Sequence, residues 1–514
     1  MTAVIAPAVE RARIAGAAFV PPSLGGRWDS TLELVTQLRP LFRADPSSAT
    51  ADVWSSLTAA SAVWIAGDAA QRRRVADLMC AGGRIAGGIA HIAPAGGAAG
   101  HGQEVRAEAI EGGWRVSGRT SPLVDVVGAD LVLLAARTGD GERMLLLWEP
   151  ASVGVASGER VATSGLTGCP IDMVTLTDVV IDAESRLGPV DVDPWAGASI
   201  IGRAVMPALA VAIVDSALHL ALPYAQGRRL YQGAIIDLPH ARGLLAEART
   251  DLLIADALAA TAVRSLHVTP EGAAPVAAAS AYLAPQLLND AMRNLSVLFG
   301  STFYGSVEPY AEFETMVRDL AAMSLVGLGS LEALTVVARA GETFSERGAG
   351  SPSDRRIFST SDELPRLVPG SLGFGDRTAS AIIGHFDDQE IRTLARRRAD
   401  RLEPAILRLA ELRDRLVATT AENGAELDRA GAFALLLAAG ACIGTWAEAA
   451  TDTVASAPEW LEAALVRIES RLTGRRRALS EAAADAGIAD IASCAAELRS
   501  IAFERSTLTT GTTL

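Results

Sequence analysis

The sequence contains no lysine: all 46 basic residues are arginine, set against 60 acidic ones. An all-arginine set is the mark of GC-rich coding and carries no functional signal of its own. The net charge of −14 argues against nucleic-acid binding, which needs a basic face to meet phosphates. Cysteine is also scarce. Cys80, Cys169, Cys442 and Cys494 stand far apart with no CxxC spacing, so neither a zinc site nor a disulfide framework is expected, and all four read as buried free thiols. The longest uncharged apolar run, Ala432 to Trp446, is about fifteen residues against the roughly twenty that span a bilayer. Charges at Glu10, Arg11 and Arg13 spoil the N-terminus as a signal peptide. The expectation is a cytoplasmic protein without membrane insertion. No P-loop, no GxGxxG after a strand and no Ser-His-Asp spacing is present.

Aromatics make up only 5% of a chain that is 50% hydrophobic, so the apolar content is mainly Ala, Leu and Val, a mixture that favours helices. Residues 1–26 read as a loose arm ending in Pro21-Pro22 and Gly25-Gly26. Residues 27–88 show helical periodicity, with Asp68 placed to cap the helix that follows it. Residues 89–193 change texture to short β-rich runs separated by Gly-rich turns, the pattern of a small β-barrel or sandwich. Long helical segments return over 194–341 as a bundle, Trp195 to Tyr224, Leu238 to His267, Pro275 to Phe299 and Glu308 to Ala338. Residues 342–375, rich in Gly, Ser, Pro and Asp, read as a linker, and 376–514 as a further helical unit. The fold class is α+β: a helical domain, a middle β domain, a helical bundle and an extra helical extension.

Several segments resemble the acyl-CoA dehydrogenase superfamily in sequence and in order. Gly112-Gly-Trp-Arg-Val-Ser-Gly-Arg119 is similar to the family's middle-domain hairpin. Gly165-Leu-Thr-Gly-Cys-Pro170, with Leu176-Thr-Asp-Val179, resembles the signatures that close that domain. Tyr224-Ala-Gln-Gly-Arg-Arg-Leu-Tyr231 resembles the Tyr-Ala-x-x-Arg-x-x-Phe-Gly segment, and Met316-Val-Arg-Asp-Leu-Ala-Ala-Met-Ser-Leu-Val-Gly327 the end of the catalytic helix. The resemblance runs over about residues 27–340 and implies the family's fold, with an extra helical domain as in its larger members. It also implies FAD and an acyl thioester as ligands, with a glutamate removing the α-proton.

Carried over residue by residue, the resemblance places Arg228 on the flavin's pyrophosphate region and Tyr231 near its adenine. Departures accumulate elsewhere. The family's two base positions fall on Gly327 and on Gly202, and glycine cannot abstract a proton. The hydroxyl-bearing flavin turn aligns with Ile92-Ala-Pro-Ala-Gly-Gly-Ala98, and the Trp-Ile-Thr strand with Arg119-Thr-Ser-Pro-Leu123. Each ring heteroatom left unpaired costs about 1–3 kcal/mol, so the expectation is no FAD or weakly bound FAD, and no metal. Gly202, Gly327, Val326 and Tyr304 are expected to line a wide apolar substrate cavity. Arg203 could bond a carbonyl or enolate oxygen, and His91 could exchange a proton near neutral pH. Glu332 stands more than a helical turn beyond the base position and Asp319 reads as structural.

The function expected from these residues is non-oxidative cyclisation or rearrangement of a bulky acyl or polyketide-type substrate in the former flavin and acyl cavity, as in secondary metabolism. The alternatives are a base-less subunit of a heteromeric acyl-CoA dehydrogenase and an FAD-dependent oxidoreductase or monooxygenase. A homodimer or homotetramer is the expected assembly, with a heteromer as the alternative.

Overall fold

A computed structural model describes the chain except for residues 1–15, 89–104, 151–154, 189–193, 231–232, 306–309, 348–353, 360–361, 419–425, 452 and 509–514. Three helices come first: α1 (Thr31–Ala44), α2 (Pro46–Ala66) and α3 (Ala69–Cys80). Each start is set by local chemistry. Ser30 caps α1 through Glu33 N–H, Asp45 caps α2 through Ser47 and Ser48 N–H, and Asp68 forms a reciprocal capping box with Gln71 on α3. The segment read as a loose arm is packed where it is described. Phe19 and Val20 are fully buried, and Trp64 Nε1 donates to the Phe19 carbonyl at 2.9 Å. The burial of two large apolar side chains outweighs the Pro/Gly texture around them.

The middle domain is an eight-stranded sheet in the order β1-β5-β2-β3-β8-β4, with β6 on β5 and β7 on β8. Its strands are β1 (Ile85–Ala86), β2 (Arg106–Ile110), β3 (Gly113–Arg119), β4 (Leu123–Val124), β5 (Leu131–Thr138), β6 (Arg143–Trp148), β7 (Val155–Arg160) and β8 (Ile171–Asp182). Pairing is antiparallel except for β1 with β5 and β2 with β5. One face holds its own core, with Val116, Val132, Leu134, Leu146 and Trp148 nearly fully buried. A second apolar cluster runs continuously from Phe19 through the helices to Ala502.

Where β4 ends against α2, Asp125 takes a left-handed conformation (φ 56°) and its Oδ1 accepts from Arg84 Nη2 at 3.1 Å. Burial outweighs Arg84 and, with Asp52 and Asp172 nearby, holds this carboxyl up at about 6. A raised carboxyl pKa means that stability is fully present below the unfolded value and is lost as pH rises through the folded one. Asp125→Asn, which keeps an acceptor for Arg84 and tolerates the left-handed backbone, should match the parent near pH 4. It should exceed it by up to about 3 kcal/mol near pH 8 in urea unfolding.

The bundle is built from α4 (Pro194–Gly227), a short hairpin β9 (Arg229–Leu230) and β10 (Gly233–Ala234), α5 (Pro239–Val268), α6 (Ala273–Phe299), α7 (Ala311–Ala322) and α8 (Leu331–Arg347). The expected continuous helix from Glu308 to Ala338 is broken. A 3-10 turn over Met323–Val326 ends on Gly327 in the left-handed region (φ 84°), and Gly329 (φ 72°) follows.

The remaining helices are α9 (Arg377–Gly384), α10 (Gln389–Arg398), α11 (Leu402–Ala418), α12 (Glu426–Glu448), α13 (Pro458–Thr473) and α14 (Glu481–Ala496). They share the bundle's apolar cluster rather than forming a core of their own. The described part of 342–375 is fastened down, unlike a linker. Arg264 holds the Arg356 and Asp362 carbonyls, and His267 bridges the Thr31 N–H and the Pro365 carbonyl. Helices α4 and α12 are each long and apolar enough to cross a membrane by composition, but their most apolar windows are 83% and 78% buried inside the protein. Cys169, Cys442 and Cys494 are buried as expected, whereas Cys80 is exposed at the last turn of α3.

A turn at residues 500–504 closes the bundle against α1. Asp215 on α4 is fully buried and accepts from Arg43 Nε (2.8 Å), Ser500 Oγ (2.9 Å) and Ile501 N–H (2.9 Å). Asp256 on α5 pairs with Arg39 and accepts from Phe503 N–H at 2.8 Å, while Glu504 pairs with both Arg39 and Arg43. Two acids from the bundle, two arginines from α1 and the 500–504 turn thus form one ionic cluster.

Candidate functional site

The middle domain meets the bundle through two of the sequence signatures. Asp319 is buried and its Oδ1 accepts from Leu166 N–H at 2.6 Å. Leu166 is itself left-handed (φ 52°), a strained conformation that this buried acceptor helps to hold. A Cβ at Gly165 would lie 2.3 Å from the Arg318 carbonyl oxygen, so only glycine allows the approach. Asp319 is therefore structural, as read from the sequence.

Beside this junction lies a cavity of about 230 Å³ between α2, the start of α4 and the turn before α8. It brings together Gly202, Arg203, Val326 and Gly327, four of the residues named from the sequence. Along α4, Trp195, Ala198, Ser199 and Gly202 recur at i, i+3, i+4 and i+7, which puts them on one helix face. All four line the cavity. The expected enlargement by two glycines is not what the structure shows at Gly202. A Cβ there would stand 2.9 Å from Trp54 Cζ3 and 3.5 Å from Cη2, because the Trp54 indole of α2 occupies the space.

Arg203 Nη2 pairs with Glu332 Oε1 at 2.8 Å; the arginine side chain is 12% exposed and the glutamate 65%. Glu332 also lines the cavity, which helical spacing counted from Gly327 did not reveal. The left-handed turn at Gly327 and Gly329 folds the chain back, and α8 begins at Leu331 with Ser330 Oγ accepting from Ala333 N–H at 3.2 Å. Glu332 thus occupies the first turn of α8, where the helix dipole favours a carboxylate. The paired glycines are the sequence signal for that reversal.

Gly327 is a helix-end glycine by backbone, so a side chain there is strained whatever the space around it. Gly327→Glu should lose about 1–3 kcal/mol in thermal unfolding and should confer no dehydrogenation of simple acyl-CoA esters. Recovery of that activity would show that the loop tolerates a carboxylate in a working geometry.

Other expected site residues are not gathered here. Tyr304 is 85% exposed and stacks edge-on with Phe303 at 4.8 Å, because the 3-10 turn after α6 carries it to the surface; it does not line this cavity. His91 and Tyr231 lie outside the described residues, as does the segment 92–98. Arg228 stands exposed just past α4, bordering a separate open cleft with Thr302 and Tyr310, where Tyr224 Oη and Thr302 Oγ1 are 3.0 Å apart.

These positions test the fit of a flavin. The Arg228 guanidinium is exposed at its open cleft. In the segment aligned with the ring-binding strand, Thr120 is buried, its Oγ1 accepts from Val174 N–H at 2.9 Å, and its N–H donates to the Val174 carbonyl at 2.9 Å. Leu123 and Val124 are buried in β4. Thr120 thus spends both its hydroxyl and its N–H within the sheet, whereas Ser121 beside it is exposed.

Residues 200–340 match the family model for the acyl-CoA dehydrogenase C-terminal domain. The chain is 25% identical over 320 residues to 3-sulfinopropanoyl-CoA desulfinase of Paraburkholderia xenovorans, a match covering 60% of this chain and 80% of that protein. It is 27% identical over 171 residues to the caffeyl-CoA reductase-Etf complex subunit CarC of Acetobacterium woodii, covering 33% and 44%. An acyl-CoA dehydrogenase complexed with FAD from Bacillus anthracis superposes with a TM-score of 0.63 at 15% identity, covering 95% of this chain and 89% of that one.

Proposed function

We propose that this chain, which belongs to the acyl-CoA dehydrogenase superfamily, is an enzyme that binds a bulky acyl or polyketide-type substrate in its cavity and carries out non-oxidative cyclisation or rearrangement. The observation that carries this reading is the composition of the cavity. It holds a largely desolvated guanidinium, Arg203, while the two positions for a catalytic carboxylate are closed, one by the φ of Gly327 and the other by the Trp54 indole against Gly202. A relative named as a desulfinase supports chemistry other than dehydrogenation on this scaffold.

Glu332 stands two-thirds exposed, and an ion pair with one partner in water is worth at most about 1 kcal/mol. A substrate carbonyl can therefore replace Glu332 on the guanidinium at little cost. Arg203 then donates to the carbonyl oxygen and stabilises negative charge that develops there, while the cavity holds the reactive conformer and excludes water. Flavin binding is expected to be weak or absent, and the protein to be a cytoplasmic homo-oligomer. The visible spectrum of the purified protein should show flavin well below one equivalent; stoichiometric flavin that survives gel filtration would overturn this reading.

A further inference from the structure

We propose that the cavity selects a planar, conjugated acyl group, stacked on the Trp54 indole with its carbonyl toward Arg203. The inference rests on the cavity being the substrate site, and it names the class of substrate. Aromatic residues are only 5% of the chain, yet two tryptophans, Trp54 and Trp195, line this one cavity.

Trp54 is fixed rather than incidental. Its indole is held at both edges by glycines from different domains. A Cβ at Gly88 would stand 2.6 Å from Cδ1 and 2.8 Å from Nε1, and a Cβ at Gly202 would stand 2.9 Å from Cζ3. No real Cβ sits that close, so two glycines are needed to admit the ring. The neighbours of Trp54 hold the same junction: Ser55 Oγ donates to the Val124 carbonyl at 2.8 Å, and Val124 N–H donates to the Gly88 carbonyl at 2.8 Å. Trp54 borders the cavity alongside Trp195. Trp54 is 8% exposed, so this surface is preorganised and loses little freedom on binding.

The rest of the lining suits a flat ligand. On α4 the small side chains of Ala198 and Gly202 line the cavity between Trp195 and Arg203, leaving room there for a flat, slot-like site. An aliphatic chain would gain from burial alone in such a slot. A planar π-system gains offset stacking in addition, about 0.5–1.5 kcal/mol per aromatic pair, or roughly 2- to 12-fold in affinity.

The test is calorimetric titration of the full-length protein with the N-acetylcysteamine thioesters of 2-naphthoic and decanoic acid. The naphthoyl ester should bind about 3- to 10-fold more tightly. Trp54→Leu should abolish that preference while leaving decanoyl affinity within about 2-fold, Trp54→Phe should keep part of it, and Arg203→Met should weaken both esters alike. Because Trp54 is buried, Gly202→Ala provides a second route: its Cβ must displace the indole, and the preference should fall there too, with the melting curve reporting that the fold is intact. Equal binding of both esters to the parent protein, or a preference unchanged in folded Trp54→Leu and Gly202→Ala, would overturn the slot while Arg203 sensitivity left the cavity as the acyl site. Binding of both esters that is indifferent to Arg203→Met would overturn the cavity reading and the slot together.

Discussion

Arg203→Met should lower kcat for the acyl substrate by about 10²–10³-fold, equivalent to roughly 2.7–4 kcal/mol of lost stabilisation where charge develops on the carbonyl oxygen. Methionine keeps much of the side-chain volume and removes every donor. The fold should survive, because Glu332, the arginine's ion-pair partner, is 65% exposed and returns to water when released. A melting temperature close to that of the parent, together with the collapse in kcat, separates a chemical role from a structural one. Glu332→Gln is the companion measurement. If the glutamate only occupies the guanidinium between turnovers, its neutralisation should leave kcat within about 3-fold and lower KM. A full loss of kcat in Glu332→Gln with Arg203→Met unaffected would transfer the chemistry to the carboxylate and sink the proposal.

Asp215→Ala should destabilise the protein by about 3–5 kcal/mol, the range for removing one partner of a buried ion pair. The truncation removes the acceptor of Arg43 Nε, Ser500 Oγ and Ile501 N–H at once. It leaves Arg43, 10% exposed, with Glu504 as its remaining acidic partner. His219, whose Nε2 lies 3.6 Å from Asp215 Oδ1, loses its neighbouring charge as well. Asp215→Asn should be intermediate, since it keeps a carbonyl acceptor but not the charge that offsets Arg43. Equilibrium unfolding in urea measures both variants, and a loss below about 1 kcal/mol for Asp215→Ala would show that water or Glu504 substitutes freely for the carboxylate.

The sequence revealed most where the determinant is local and periodic. α4, α5 and α6 lie within a few residues of their expected spans because long apolar patterns outweigh single breakers, even Pro207 and Pro223 inside α4. The Asp68 cap was equally legible, a short-range bond to Gln71. The continuous helix across Gly327 failed because the decisive quantity was a backbone angle, and a glycine's φ is not written in apolar spacing. In the site, Gly202 and Arg203 are neighbours in sequence and came together with Val326 and Gly327 once two helices packed. Trp54 could not be found that way. Its place depends on contacts with Gly88 and Gly202, each remote in sequence, and an indole among apolar residues of α2 reads as core. Glu332 was set aside by a spacing rule that holds only inside an unbroken helix. Tyr304 failed for the opposite reason: an aromatic near the bundle's end read as cavity lining, and a short 3-10 turn put it in solvent.

The closing turn at residues 500–504 has a consequence for the order in which the molecule is made. Synthesis runs from the N-terminus, so Arg39, Arg43, Asp215 and Asp256 all leave the ribosome long before Ser500, Ile501, Phe503 and Glu504, the groups that complete their bonding. The nascent bundle can bring α1, α4 and α5 together early, but it then carries four charged side chains still open to water. Only the 500–504 segment shuts that opening. The ionic cluster is thus complete only after residues 500–504 have emerged, and a message cut short before residue 500 would leave those four charged groups hydrated inside the bundle.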